Sequence, residues 1–193
     1  GSSYLNNMVT IWDAVAGKLI AEMTGHEKAV NSVSFSSDGK HLASGSSDQT
    51  VKIWDASNGN LINSVDAGVK EVMAVSYSPD GKYIAGGGSN NDIFLLDARS
   101  GNIIASHSDH NGEIRSVTFS PDVQFLISSS DNGEIIIWDV ETRQVVKSLE
   151  GHDGGTNAIA MGNKGSVMVS AGNDGTINIW DITDLNIGQK KFT

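Results

Sequence analysis

A Trp–Asp pair closes an alternating apolar run at four places: VTIWD (9–13), TVKIWD (50–55), EIIIWD (134–139) and TINIWD (176–181). Between them, DIFLLD (92–97) has the same form with Leu96 in the tryptophan's place. Positions 12, 54, 96, 138 and 180 are separated by steps of 42 residues, without insertion or deletion. A fixed period of about 40–45 residues marks stacked supersecondary units. The repeat, not the chain of 193 residues, is then the unit to be explained.

Within one unit the pattern predicts four antiparallel strands and no helix. AVNSVSFS (29–36), KHLASGS (40–46), TVKIWDA (50–56) and NLINSVD (60–66) alternate, and clusters of Gly, Asp, Asn and Ser divide them. EVMAVSYS (71–78), EIRSVTFS (113–120) and GTNAIAMG (155–162) repeat the first strand, and SPDGK (78–82), SPDVQ (120–124) and GNKGS (162–166) repeat the turn after it. Pro79 and Pro121 preset such turns. The expected organisation is a partial unit over 1–24, full repeats over 25–66, 67–108 and 109–150, and a last repeat over 151–193. NIGQKKF (186–192) stands where a final fourth strand would go, although it is poor in strand formers.

Gly25–His26 with Trp54–Asp55, and Gly151–His152 with Trp180–Asp181, resemble the marks of the WD-repeat family. Asp109–His110 with Trp138–Asp139 keeps the histidine and loses the glycine. The resemblance covers nearly the whole chain and implies an all-β fold, a β-propeller of four-stranded antiparallel blades, with about four and a half present. Rings in this family usually have seven blades, or about 294 residues at this spacing. The chain is therefore expected to be part of a ring, completed by a missing segment or by a second chain, with a self-completing dimer as a further alternative. Residues 1–13 align with 43–55, so that Ser2 matches Ser44 and Asn6 matches Asp48.

Each histidine is followed at +18, +22 and +28 by a fixed set: His26 by Ser44, Asp48 and Trp54; His110 by Ser128, Asn132 and Trp138; His152 by Ser170, Asp174 and Trp180. Serine, histidine and aspartate raise the question of a hydrolase triad. A catalytic site occurs once and this set recurs, so the reading adopted is structural. By the resemblance, these residues form a chain of hydrogen bonds, Trp to Ser to His to Asp, that clamps the third strand to the loop entering the first. In the middle unit the set becomes Gly68, Gly86, Asn90 and Leu96, and that unit is expected to be the least rigid.

The formal charge of −10 is largely local. Of 16 aspartates, 11 occupy repeated turn positions: Asp13, Asp55, Asp97, Asp139 and Asp181; Asp38, Asp80 and Asp122; Asp48, Asp131 and Asp174. The 13 basic residues are scattered, with only Lys190 and Lys191 adjacent, which disfavours nucleic acid as a partner. The chain has no cysteine, which excludes thiolate metal sites and is compatible with a reducing compartment, cytoplasmic or nuclear. No apolar run approaches the roughly 20 residues of a membrane-spanning helix. His107 and His110 stand three apart but lack a third ligand, and no metal or cofactor is expected. No phosphate-binding glycine loop occurs, since Gly86–Gly88 is not followed by Lys-Ser/Thr.

The function expected is therefore noncatalytic: a scaffold for other proteins or peptides or, alternatively, a structural subunit of a large assembly. By the resemblance, partners meet the face made by the loops entering the first strands and the turns between second and third strands. The candidates there are Lys28, Asn31, Ser47, Lys70, Met73, Ser89, Arg115, Asp131, Asn157 and Asn173, with Arg115 favoured because arginine is enriched in interface hot spots.

Overall fold

The computed structural model describes residues 7–162 and 165–183, and the backbone of 188–192. Among the described residues there are eighteen strands and no helix. Strands β1 (Val9–Trp12) and β2 (Leu19–Met23) form a two-stranded sheet. The second sheet holds β3 (Val30–Phe35), β4 (His41–Ser46), β5 (Thr50–Asp55) and β6 (Leu61–Asp66). The third holds β7 (Val72–Tyr77), β8 (Tyr83–Gly88), β9 (Ile93–Asp97) and β10 (Ile103–His107). The fourth holds β11 (Ile114–Phe119), β12 (Phe125–Ser130), β13 (Glu134–Asp139) and β14 (Val145–Glu150). The fifth holds β15 (Thr156–Met161), β16 (Val167–Gly172), β17 (Ile177–Asp181) and β18 (Gly188–Phe192). Each is an antiparallel meander, and the whole is a partial β-propeller. The weak strand formers at the end do pair: β18 lies against β17 with Ile177 opposite Phe192. Ser2 and Asn6 lie outside the described residues.

Aspartate makes the turns. Asp38 Oδ1 accepts from Ser36 Oγ at 2.6 Å and from the Lys40 amide at 3.0 Å, and Asp80 and Asp122 repeat the arrangement. Asp13, Asp55, Asp97, Asp139 and Asp181 each accept from the chain two or three residues on. Asp131 is the exception, facing Arg115 at 3.5 Å. These turns also need a left-handed residue. Gly39, Gly81 and Gly165 supply it at one repeat position, but the fourth sheet places Val123 there at φ 63°. A β-branched side chain is strained in that region.

Four buried clusters glue successive sheets together, and each is the same joint. One sheet offers a row such as Ala43, Val51 and Ile53; the next receives it on Val72, Val75, Tyr77, Ile84 and Leu96. At the following joint Ala85, Ile93 and Leu95 meet Ile114, Val117, Phe119, Leu126 and Trp138. Burial of such apolar rows is worth roughly 25 cal/mol per Å². The approach is close: a Cβ on Gly45 would overlap Val72, and one on Gly87 would overlap Ile114.

The joint between the first two sheets is thinner. Val33 and Phe35 are 38% and 50% exposed, whereas Val75 and Tyr77, one repeat on, are 6% and 8%. Trp12 is 55% exposed, against 1–3% for Trp54, Trp138 and Trp180.

Candidate functional site

In the second sheet Trp54 Nε1 donates to Ser44 Oγ at 2.8 Å, and His26 Nε2 lies 2.7 Å from the same oxygen. On its other side His26 Nδ1 is 2.8 Å from Asp48 Oδ2. Ser44 Oγ, already accepting from the indole, donates to Nε2, which leaves Nδ1–H to donate to the carboxylate. Burial lowers the His26 pKa and the Asp48 carboxylate opposes the shift. Burial raises the Asp48 carboxyl, but bonds from Thr50, the Glu27 amide and His26 outweigh it and bring the value down to about 2. The fifth sheet repeats the set, with Trp180 Nε1 to Ser170 Oγ at 2.9 Å, His152 Nε2 to Ser170 at 2.8 Å and Nδ1 to Asp174 at 2.9 Å. All these side chains are spent on one another.

The fourth sheet changes the carboxylate. Trp138 Nε1 donates to Ser128 Oγ at 2.9 Å and His110 Nε2 is 2.6 Å from that oxygen. Asn132, expected to take the aspartate's place, does not reach the imidazole: its Oδ1 accepts from Ser130 Oγ and from the Glu134 amide. Glu134 faces His110 Nδ1 instead, at 3.3 Å, and Ser148 Oγ holds its other oxygen at 2.9 Å. The glutamate stands at the repeat position of Thr50 and Thr176, and its longer stem brings a charge opposite the imidazole, although neither His110 Nδ1 nor Glu134 Oε2 completes a hydrogen bond. Burial again lowers the histidine pKa, with Glu134 opposing.

The third sheet lacks the Trp–Ser–His chain, and Asn90 bonds instead to Asp92 and to the Lys70 amide. The Phe94 ring occupies the space a side chain on Gly86 would need, and Phe94 and Leu96 are both buried in the joint. The expectation of a loosened sheet rested on lost polar groups; the space they vacate is filled by apolar ones.

The candidate partner-binding residues fall on one end of the sheets in a regular way. The pairing of first and second strands slips by one residue in all four complete sheets, between Val30 and Ser32, Val72 and Ala74, Ile114 and Ser116, and Thr156 and Ala158. The extra residues are Asn31, Met73, Arg115 and Asn157. A β-bulge re-aims the side chain it carries. Three of them meet the turn residue expected beside them: Asn31 and Ser47 at 3.0 Å, Arg115 and Asp131 at 3.5 Å, Asn157 and Asn173 at 2.6 Å. Arg115 also pairs with Glu113 at 3.4 Å. Met73 lies 3.7 Å from Asn31 Nδ2 across the joint, while the Ser89 hydroxyl is buried without a bond. Lys28 and Lys70 are exposed beside them. Periodicity finds these positions but not the bulge that carries them.

Repeated four-stranded sheets, three of them locked by an internal Trp–Ser–His hydrogen-bonded set, define a WD-repeat propeller. The chain belongs to the family described as WD domain, G-beta repeat, matching it over residues 17–55, 59–97, 101–139 and 143–181. It is also similar to two Schizosaccharomyces pombe proteins. One is the guanine nucleotide-binding protein subunit beta, 44% identical over 41 residues, or 21% of this chain and 13% of the relative. The other is the periodic tryptophan protein 2 homolog, 46% identical over 43 residues, or 22% of this chain and 5% of the relative. The matched segments thus span only a small part of either relative.

Proposed function

We propose that this chain is a noncatalytic protein–protein interaction scaffold that receives peptides or domains of other proteins on the bulged end of its sheets. The carrying observation is the bulge. One backbone geometry recurs in four sheets while its side chain changes from Asn31 to Met73 to Arg115 to Asn157. Fixed geometry with varied chemistry is what reading a specific partner requires. The serines, histidines and aspartates that suggest hydrolysis are consumed by the clamps. The test is a peptide selected on the protein from a displayed library, followed by Arg115→Ala. Binding should weaken several-fold with the melting temperature unchanged, because the exposed Arg115 pairs contribute at most about 1 kcal/mol. A loss of stability with binding intact would make Arg115 structural.

One observation favours a second reading, a structural subunit of a larger assembly. Trp12, Val33 and Phe35 are exposed where their repeat counterparts are buried. A further β-sheet, from a second chain or from another segment, would cover them. The similar Schizosaccharomyces pombe protein is itself named a subunit. Light scattering across a concentration series separates the readings, since a monomer that stays dispersed would remove the support for a structural subunit.

A further inference from the structure

Away from the bulged end, the turns leave a cleft at each joint, and the cleft between the second and third sheets differs from the rest. It encloses about 400 Å³ and is lined by His41, Ile53 and Ile62 on one side and by Tyr77, Gly81, Ala98 and Arg99 on the other. The corresponding cleft between the third and fourth sheets is lined by Tyr83, Leu95, Ile104 and Glu141. That between the fourth and fifth is lined by Phe125, Ile137 and Thr183. The repeat positions of Tyr77 carry Phe119 and Met161 in those joints. The cleft between the third and fourth sheets also pairs a phenol with a guanidinium, Tyr83 with Arg143, so what sets the first cleft apart is the imidazole of His41 beside Tyr77 and Arg99.

These three groups are unspent. Among the described residues, no hydrogen bond or ion pair involves the Tyr77 hydroxyl, the His41 ring or the Arg99 guanidinium; the bonds of these residues are made by their backbones. Tyr77 is only 8% exposed, so its hydroxyl has little access to solvent other than through the cleft. Burial and the Asp38 charge hold that phenol protonated, with its pKa raised to about 12, so it is a donor. The hydroxyl is not among the buried unpartnered groups and opens into the cleft, where it can donate to a ligand. Asp38 and Asp80 edge the cleft, but each already accepts from its own turn, as Asp122 does elsewhere.

We propose that this cleft binds a monocarboxylate carried on an apolar body, the carboxylate between Arg99, Tyr77 and His41 and the body against Ile53, Ile62 and Ala98. An enclosure of this size and mixed lining suits a small ligand. Arginine favours carboxylate through charge-assisted, paired bonds. Asp38 and Asp80 also line the cleft and oppose any anion, so a single carboxylate charge must be held by Arg99 and by hydrogen bonds, and a phosphate dianion is disfavoured twice over. The carboxylate comes from a free acid or from a glutamate side chain in a partner segment.

The test is a titration of the whole chain, followed by NMR at the His41 ring and the Tyr77 and Arg99 amides. The probes are 3-phenylpropionate, a blocked leucyl-glutamate dipeptide, inorganic phosphate and 3-phenylpropylamine. Saturable shifts are expected with one or both carboxylates and with neither phosphate nor amine. Tighter binding of the acid or of the dipeptide tells which source the cleft takes. Arg99→Glu, which copies Glu141, should lower affinity about tenfold or more. Tyr77→Phe, which copies Phe119 and keeps the packing, should lower it about fivefold. Absence of saturable shifts, equal binding of the amine, or unchanged affinity in both variants overturns the proposal.

Discussion

Replacing Ser44 by alanine is the sharpest probe of the clamp. The hydroxyl is fully buried, accepts from Trp54 Nε1 at 2.8 Å and meets His26 Nε2 at 2.7 Å. Its removal deletes one oxygen but orphans two buried polar groups. Each orphan costs about 1–3 kcal/mol. The expected loss is therefore about 2–6 kcal/mol, a large part of the roughly 5–15 kcal/mol that holds a domain together. Urea denaturation followed by far-ultraviolet circular dichroism measures it, with an unchanged m-value required. Trp54→Phe removes the indole donor, so Ser44→Ala with Trp54→Phe should be milder than the sum of the singles by about 1 kcal/mol. A loss below about 0.5 kcal/mol for Ser44→Ala, or additivity of the pair, would refute the clamp as a coupled network.

Three further outcomes follow from the same geometry. Val123→Gly should leave the chain more stable than Val123→Ala does in the same assay, because both lose the contact of Val123 with the core and only glycine relieves the left-handed backbone; equal effects of the two would mean that the turn carries no strain. Glu134→Ala should cost up to about 1 kcal/mol by removing the charge that faces His110 Nδ1 without a hydrogen bond; a cost above about 2 kcal/mol would mean that the carboxylate bonds the imidazole outright. Burial holds His26 and His110 below their ordinary value of 6.5 in the folded chain, so the unfolded chain binds protons first on acidification. Stability should fall as pH drops from 6.5 toward their folded values. It should fall again below 3.8 as Asp48 approaches its folded value of about 2. Melting temperatures flat between pH 7 and 5 would contradict buried neutral histidines.

The sheets were legible because alternation and turn chemistry are local, and one period of 42 copies them along the chain. The clamp was legible only where each repeat keeps the same residues at the same offsets. Asn132 shows the limit: offset counting looks for the carboxylate at +22, whereas the fourth sheet brings it from Glu134 at +24 on a longer stem. A signal existed, since the column holds Thr50 and Thr176 where the Asp at +22 is kept, and a carboxylate, Asp92 or Glu134, where it is Asn90 or Asn132. Phe94 likewise stands in a column with Lys52, Ile136 and Asn178, but only packing reveals that its ring uses the room left by Gly86. The bulges were invisible because an extra residue on one strand alters register without altering the period. The unusual cleft was overlooked because Tyr77, His41 and Arg99 lie on different strands and turns.

Because every joint is the same pair of surfaces, a gene encoding such a chain can lengthen or shorten by one period without inventing a new contact. Crossing over between Trp54 and Trp138, for example, would delete two units and still bring a familiar row against a familiar receiver. Size in such a lineage is then counted in modules, and novelty is left to the few outward side chains that each module is free to change.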